Sequence, residues 1–355
     1  MIFIILLNLI LTIYSAFIND NFNILPQDDW NSFFNQTEEI LRNNMPFSDK
    51  LRELAVNMKF ISGKKEQDNI YISDDSLIKI VKNPDYAVTD ANVQSIINYV
   101  STYRVPTYAM IVPSACSIKQ QEIDSLYRER LFNEKTFIEN IYSDFNSYVS
   151  SVNVYPALFS NNNKSIYYKT DSNLTGLGGY YVYEQLAKRM HITVHPLDRF
   201  DIKHYNEDFY GDIYANSAYK SVSPDKISSY KFSKYSREYH ITRTKNGEVN
   251  TYYELYPEEA TLNSSISDIV LGGPADKIDI KIGSPNTLKL LIYGDETVMS
   301  FLTFLAVNFK EITFVNTTTA TDDIYESIDI QAYDKILFSF SADNFMHNFC
   351  TKNLN

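Results

Sequence analysis

The chain has few cysteines and few basic residues, and each shortage excludes a class of protein. Cys116 and Cys350 are the only cysteines among 355 residues. Two are too few for a disulfide framework, although they could pair in an oxidising compartment. The 44 acidic residues outnumber the 32 basic ones, which gives a net charge of -12, and no basic run is present. Because this balance repels polyanions, we expect no nucleic-acid partner.

Repeats and histidine clusters are also missing. No segment recurs at a fixed period, so nothing indicates a repeat architecture. His191 and His195 are four residues apart but follow a predicted helix end, and three further histidines are isolated: His204, His240 and His347. A metal site needs several ligands that converge. The sequence therefore predicts neither a metal site nor a bound cofactor.

One long apolar run is present, at the start of the chain. Residues 2–18, IFIILLNLILTIYSAFI, contain no charge, which is typical of a secretory signal peptide or a short membrane anchor. No Lys or Arg precedes the run, and a cut after Ala16 would leave the bulky Tyr14 where a small residue is usual. A cleaved peptide and an uncleaved anchor both remain open. Either one predicts a secreted or anchored protein outside the cell.

Apolar periodicity predicts an α/β domain. Short apolar runs predict strands at residues 107–112, 153–158, 288–293, 311–315 and 335–340. Amphipathic stretches predict helices near residues 31–59, 121–149, 176–190 and after each of the last three strands. Strands that alternate with helices favour right-handed crossovers and a parallel sheet covered on both faces.

The composition divides the chain into three parts. Residues 1–18 form the signal or anchor, and residues 19–90 form a helical or extended N-terminal segment. Residues 91–355 form the α/β domain, and the tyrosine-rich short strands at about 199–286 are interpreted as an insertion in it.

Polar residues follow three of the predicted strands. Ser114 follows the first strand, Asp295 and Glu296 follow the strand at 288–293, and Ser341 follows the last strand. Sites in open parallel sheets lie beyond the carboxyl ends of the strands. We therefore expect these residues to lie near a site. A serine at position 296 would be a well-placed nucleophile, but the residue is glutamate.

Several motifs follow one another in a recognisable order along the chain. The N-terminal motifs are NNMPFSDKL (43–51) and SGKKEQDNIYISDDSLI (62–78). The later motifs are YYKTDSNLTGLGGYYVY (167–183), FYGDIYANS (209–217), SPDKI (223–227), LGG (271–273) and LLIYGDETVMSFL (290–302). Their order resembles the DHHW family of bacterial exported proteins, which are relatives of SGNH-type alginate O-acetylation proteins. The resemblance implies a three-layer α/β/α SGNH-hydrolase-like fold at the cell envelope. It also implies an Asp-His-Ser triad that moves acetyl groups to or from surface polysaccharides.

Two triad positions depart from that family pattern. The family's Asp-His-His-Trp-Thr corresponds here to residues 171–175, DSNLT, so the acid Asp171 is kept and Asn173 stands at the base position. The family's Gly-Asp-Ser turn corresponds to Gly294, Asp295 and Glu296, so the nucleophilic serine is replaced. An amide cannot accept and return a proton near neutral pH, and triad acyl transfer is therefore not expected. Asp171 is interpreted as a remnant of the catalytic turn; the alternative is that it only shapes the start of the helix at Gly176 and never belonged to a triad.

The preferred hypothesis is a catalytically degenerate protein that binds a glycan or supports an acetyltransferase. Its expected partner is a cell-surface polysaccharide or an envelope acetyltransferase. The candidate ligand-binding residues are Ser114, Thr175, Tyr210, Tyr214 and Ser341. Thr175 is also expected to cap a helix that begins at Gly176. Tyr205, Tyr210, Tyr214 and Tyr219 could stack on sugar rings, or could be ordinary strand aromatics.

Two alternatives use the same residues differently. In the first, the carboxylates of Asp171, Asp295 and Glu296 converge and act as acid and base in a diverged carbohydrate-active hydrolase, or hold a cation. In the second, the domain has a purely architectural role at the cell surface.

Overall fold

The computed structural model describes residues 48–145, 148–233, 237–257 and 270–354. The predicted signal or anchor at residues 2–18 lies outside this range, as does the first part of the predicted helix at 31–59. No helix in the described ranges is long and apolar enough to cross a membrane. The chain divides into two compact units. One holds the described residues up to Gln67 together with Ser217–Lys220, and the other holds the remainder.

The smaller unit is built on one helix. Helix α1 (Ser48–Ile61) is followed by the short strand β1 (Glu66–Gln67). The rings of Phe60 and Tyr219 pack with centroids 5.1 Å apart, and Tyr219 is buried. Tyr219 is thus a packing residue of this unit. The domain boundaries at residues 18 and 90 stay predictions.

The larger unit contains an eight-stranded mixed sheet. Its strands and those of two small ribbons are β2 (Ile70–Ile72), β3 (Leu77–Lys79), β4 (Thr107–Val112), β5 (Ser150–Ser151), β6 (Phe200–Phe209), β7 (Asp225–Phe232), β8 (Tyr239–Lys245), β9 (Glu248–Tyr252), β10 (Lys277–Ile282), β11 (Lys289–Gly294), β12 (Glu311–Asn316) and β13 (Lys335–Ser341). The large sheet has the order β5-β4-β13-β11-β12-β10-β8-β9. The strands from β5 to β12 in this order are parallel, and β10, β8 and β9 continue the sheet in antiparallel pairing.

Helices cover both faces of this sheet. They are α2 (Tyr86–Thr102), α3 (Ala115–Ile118), α4 (Ser125–Arg128), α5 (Glu134–Phe145), α6 (Tyr155–Ser160), α7 (Gly176–Arg189), α8 (Asp212–Asn216), α9 (Met299–Leu305), α10 (Asp322–Glu326) and α11 (Ala342–His347). All six residues of β4 are buried. Successive strand side chains point to opposite faces, so burial of the whole strand requires cover on both sides. The predicted α/β class with a large, mainly parallel sheet is confirmed.

Two sequence predictions between residues 121 and 160 are wrong. The long helix predicted at 121–149 is divided into α4 and α5, because Asn133 accepts a hydrogen bond from the Thr136 amide (3.1 Å) and starts a new helix. The strand predicted at 153–158 is largely occupied by helix α6. Pro156 lies in the first turn of α6, where proline fits a helix well.

The segment at 199–286 contributes directly to the main sheet. Strand β10 pairs with β12 on one side and with β8 on the other. Strands β6 and β7 form a separate antiparallel ribbon. The tyrosine-rich segment therefore supplies strands of the main sheet and also forms a separate ribbon.

Candidate functional site

Three neighbouring parallel strands end at one edge of the sheet and define a cavity. Ser114 follows β4, Ser341 ends β13, and Thr297 follows β11. They line a cavity of about 110 Å³, here called the strand-end cavity. The other lining residues include Lys79, Pro113, Tyr167, Ser172, Asn173, Leu174, Ile213 and Asp343. The structure thus places Ser114 and Ser341 at one site, as expected from parallel strand ends.

Asp295 joins the ends of two strands. Its Oδ2 accepts hydrogen bonds from the backbone N–H and the hydroxyl of Ser341, both at 2.8 Å, and from the Asn344 amide at 3.1 Å. Its Oδ1 accepts from the Thr297 amide at 3.1 Å. The side chain is buried. Asp295 therefore holds the end of β11 against the start of α11, and both of its oxygens are used in this contact.

Asp171 fixes a turn next to the cavity. Its Oδ1 accepts from the backbone N–H of Asn173 (2.9 Å), and its Oδ2 accepts from the backbone N–H of Asp212 (3.1 Å). A Cβ on Gly211 would lie 2.4 Å from this carboxylate, so glycine is required for the close approach. Asp171 is buried and orients the backbone at residue 173. The acidic residues Asp171 and Asp295 bind different turns.

Asn173 and Glu296 border a second small cavity. Both side chains are exposed, and both line an aromatic cavity of about 40 Å³ together with Tyr168, Tyr256 and Phe304. Asn173, Leu174 and Thr297 line the strand-end cavity as well. The fold thus brings residues 173 and 296 to one cavity, although they are distant in sequence.

Thr175 is a helix cap. Its Oγ1 accepts a hydrogen bond from the Gly178 amide (3.2 Å) at the start of α7 and donates to the Ser165 carbonyl (2.6 Å). It lines neither cavity. The predicted capping role is observed, and Thr175 has no contact here that indicates ligand binding.

A polar groove of about 630 Å³ adjoins the strand-end cavity. The two share Lys79, Ser172, Ile213 and Asp343. The groove is further lined by Asp68, Asn69, Lys82, Asp212, Asn216 and His347. Such residues offer many donors and acceptors to a polar ligand.

His347 was interpreted from sequence as isolated, but it lies in a charged network on the groove. Its Nδ1 lies 3.0 Å from Oδ1 of Asp343, and Oδ2 of Asp343 binds Lys79 Nζ at 2.7 Å. Asp343 and His347 are four residues apart on α11, a spacing at which helical side chains meet. That spacing was the signal available in the sequence.

Glu134 is a buried acid that sequence reasoning missed. It accepts hydrogen bonds from the backbone N–H of Ser114 (2.6 Å) and from the Ser114 hydroxyl (2.7 Å). Burial raises the pKa of Glu134 to about 7, against the hydrogen bonds from Ser114, which act to lower it. Glu134 thus supports Ser114 from beneath the cavity.

The remaining candidates lie elsewhere. Tyr210 and Tyr214 pack on each other, with ring centroids 4.2 Å apart, and line neither the cavities nor the polar groove. Tyr205 lies beneath Lys203 Nζ at 4.8 Å. Cys116 and Cys350 are buried and unpaired with each other. Within the part of the chain that the structure describes, no three His, Cys, Asp or Glu side chains are grouped to hold a metal ion.

Solved structures with this fold were found by comparison. A DHHW family protein from Eubacterium siraeum superposes with a TM-score of 0.68 and 20% identity, over 81% of this chain and 96% of that one. PatB1 from Bacillus cereus, solved with a sulfonyl adduct, superposes with a TM-score of 0.67 and 16% identity, over 79% of this chain and 97% of that one. Among curated proteins, no sequence matched this chain. The structural matches show that the fold is shared.

The family itself is shown by sequence. The model of the DHHW protein family matches residues 59–315, which is most of the chain. The matched range includes the turn at Asp171 and the turn at Glu296. The chain therefore belongs to the DHHW family.

Proposed function

We propose that this protein is a catalytically degenerate DHHW protein that binds a cell-surface polysaccharide at the strand-end cavity and the polar groove. The observation that carries the proposal is that the strand-end cavity and the polar groove share four lining residues and so form one continuous site. The groove volume of about 630 Å³ lies within the usual range of roughly 300–1,000 Å³ for ligand sites. The cavity of about 110 Å³ suits a small substituent on the polymer.

The same geometry argues against acyl transfer at this site. Asn173 supplies an amide where a base is needed, and Glu296 supplies a carboxylate in place of a serine hydroxyl. Asp171 is the remaining family residue, and each of its carboxylate oxygens accepts a hydrogen bond from a backbone N–H group. Asp171 and Asp295 serve separate turns, which also gives no support to a convergent carboxylate pair.

The location and the partner belong to the proposal as well. The apolar residues 2–18 would carry the protein across or onto the membrane, where surface polysaccharide is available. An envelope acetyltransferase is the proposed protein partner. The bound polysaccharide would then be presented to it.

The test is glycan binding with the groove blocked. The full chain, kept soluble in a non-ionic detergent, is applied to an array of bacterial surface polysaccharides. Ser172→Trp fills the boundary between cavity and groove, and Ser101→Trp on α2 is the matched control, since both serines are exposed. We expect binding by the native chain and by Ser101→Trp, and a loss of roughly tenfold or more in Ser172→Trp. Absence of binding by the native chain, or equal binding by both variants, would contradict the proposal.

A further inference from the structure

A second groove lies on another part of the main sheet. It has a volume of about 810 Å³ and lies beside the first residues of β12, whereas the strand-end cavity lies beyond the carboxyl ends of the strands. Its floor includes the buried side chains of Leu255 and Ile282. We call it the basic groove. None of the sites discussed above uses its residues.

The charge of this groove is opposite to that of the chain. It is lined by Lys231, Arg237, His240, Lys281 and Lys310, together with Glu238, Glu254 and Glu311. Two of these glutamates are already paired with lysines, since Glu254 binds Lys231 at 2.9 Å and Glu311 binds Lys289 at 3.0 Å.

Three cations of the groove have no such pairing. Among the described residues, Arg237, Lys281 and Lys310 form no ion pair with a carboxylate, and only Glu238 is left to balance them. In a chain of net charge -12, a local excess of cations favours an anionic ligand.

Arg237, which lines the groove, has an unsatisfied donor. Its Nη1 is shielded from solvent and has no hydrogen-bond partner among the described residues. Its guanidinium carbon lies 5.8 Å from the centroid of the Phe232 ring. Buried donors are nearly always paired, so an unpaired one indicates an absent acceptor. The planar guanidinium fits a carboxylate or a phosphate, which can accept two parallel hydrogen bonds.

Aromatic side chains line the same groove as these cations. Tyr253 is 68% exposed, and the ring of His240 meets it edge-on with centroids 5.7 Å apart. Tyr239 lines the same groove. An exposed aromatic face next to a cation suits a sugar ring that carries an acidic group. Neither the exposed aromatic ring nor the cations alone would favour an acidic sugar, but the two together do.

We propose that the basic groove binds an anionic polysaccharide. Arg237 takes a carboxylate or phosphate group of the polymer, Lys281 and Lys310 add charge, and Tyr253 stacks on a sugar ring. This site is independent of the function proposed for the strand-end cavity, because the two share no lining residue.

Calorimetric titration of the full chain in nanodiscs of neutral lipid, without free detergent, at low ionic strength tests the site. The probes are hexagalacturonate for carboxylates, phosphorylated mannan for phosphates, neutral maltohexaose, and vesicles of phosphatidylglycerol. We expect binding of at least one anionic glycan, weakened by added salt, and no binding of maltohexaose or vesicles. The preferred glycan identifies the acidic group. Equal binding of maltohexaose, binding of vesicles alone, or binding of no probe overturns the proposal.

Three variants locate the binding. Arg237→Met and the double variant Lys281→Gln/Lys310→Gln should each weaken binding roughly tenfold or more, since hydrogen bonds to charged groups are among the strongest in proteins. Lys135→Gln on α5 changes the same charge at an exposed site away from the groove and should leave the affinity within about twofold. If Ser172→Trp weakens binding and the groove variants do not, the anion binds at the polar groove and this inference is wrong.

Discussion

At the scale of single residues, Asn173 and Glu296 stand at the two positions where we predict a departure from the family pattern. They border the same aromatic cavity, and the backbone of Asn173 is held by Asp171. We expect no acetyl-ester hydrolysis above background from the native chain. The double variant Asn173→His/Glu296→Ser should raise hydrolysis by about 10²-fold, since a positioned base contributes about 10²–10⁴.

The measurement for this prediction is release of 4-nitrophenol from its acetate ester. Each single variant is a control, because a base without a nucleophile, or a nucleophile without a base, should remain near background. Hydrolysis by the native chain would contradict the proposed loss of catalysis. A silent double variant would show that positions 173 and 296 do not reproduce the family geometry.

Glu134 should make stability depend on pH. Its folded-state pKa is raised to about 7 from 4.5, so the folded chain holds the proton more tightly than the unfolded chain does. The resulting stabilisation is fully present below pH 4.5 and is lost as the pH rises through 7. It amounts to at most about 3 kcal/mol.

Urea unfolding between pH 4.5 and 8 measures this effect. Glu134→Gln should flatten the dependence, because an amide does not titrate. Glu139→Gln is a matched control on the same helix, since Glu139 is half exposed. A native chain whose stability does not fall between pH 5 and pH 8, or a Glu134→Gln profile that parallels the native one, would contradict the assignment.

At the scale of elements, the close packing of α7 on α9 depends on Gly179. A Cβ at this position would lie 1.9 Å from the backbone oxygen of Ser300. Gly179→Ala must therefore separate the two helices, although alanine is the better helix former. We expect a loss of about 2–3 kcal/mol in the free energy of unfolding.

Chemical denaturation followed by circular dichroism measures that loss. Gln185→Ala, in the same helix and only partly buried, is the control and should change stability by less than about 0.5 kcal/mol. If the Gly179→Ala protein is as stable as the native chain, then α9 can shift without a loss in the free energy of unfolding and the prediction is wrong.

Local signals account for the elements that sequence could predict. Helix α7 is observed at Gly176–Arg189, against 176–190 predicted, because Thr175 caps it and its apolar period is regular. The strand before Asp295 was equally clear from its apolar run. The break between α4 and α5 was missed because apolar residues continue through it and only the Asn133 cap marks it.

The candidate site was predictable in part. Parallel topology placed Ser114 and Ser341 together at the strand ends. The clamp formed by Asp295 was not predictable, because its partners Ser341 and Asn344 are 46 and 49 residues away in sequence. The burial of Glu134 depends on how α5 packs, and a glutamate at a helix start gives no sign of it.

At the scale of the whole molecule, the charge of the chain and the charge of its parts differ. A net charge of -12 correctly summarises the composition but conceals the cationic residues of the basic groove. Their convergence depends on β8, β10 and β12 being neighbours in the sheet and on the separate strand β7 ending beside them. Such a patch becomes visible only when the strand order is known.

The strand order also has a consequence for how the chain folds. Strand β13 lies between β4 and β11, so a central strand of the sheet is the last to be synthesised. Its partner β4 precedes it by more than 220 residues, as in the pairing of Thr107 with Ile336. Pairings this distant close late and fold slowly. A chain emerging from the ribosome therefore cannot complete the centre of this sheet until β13 has been released, although the partner strands β4 and β11 are made earlier.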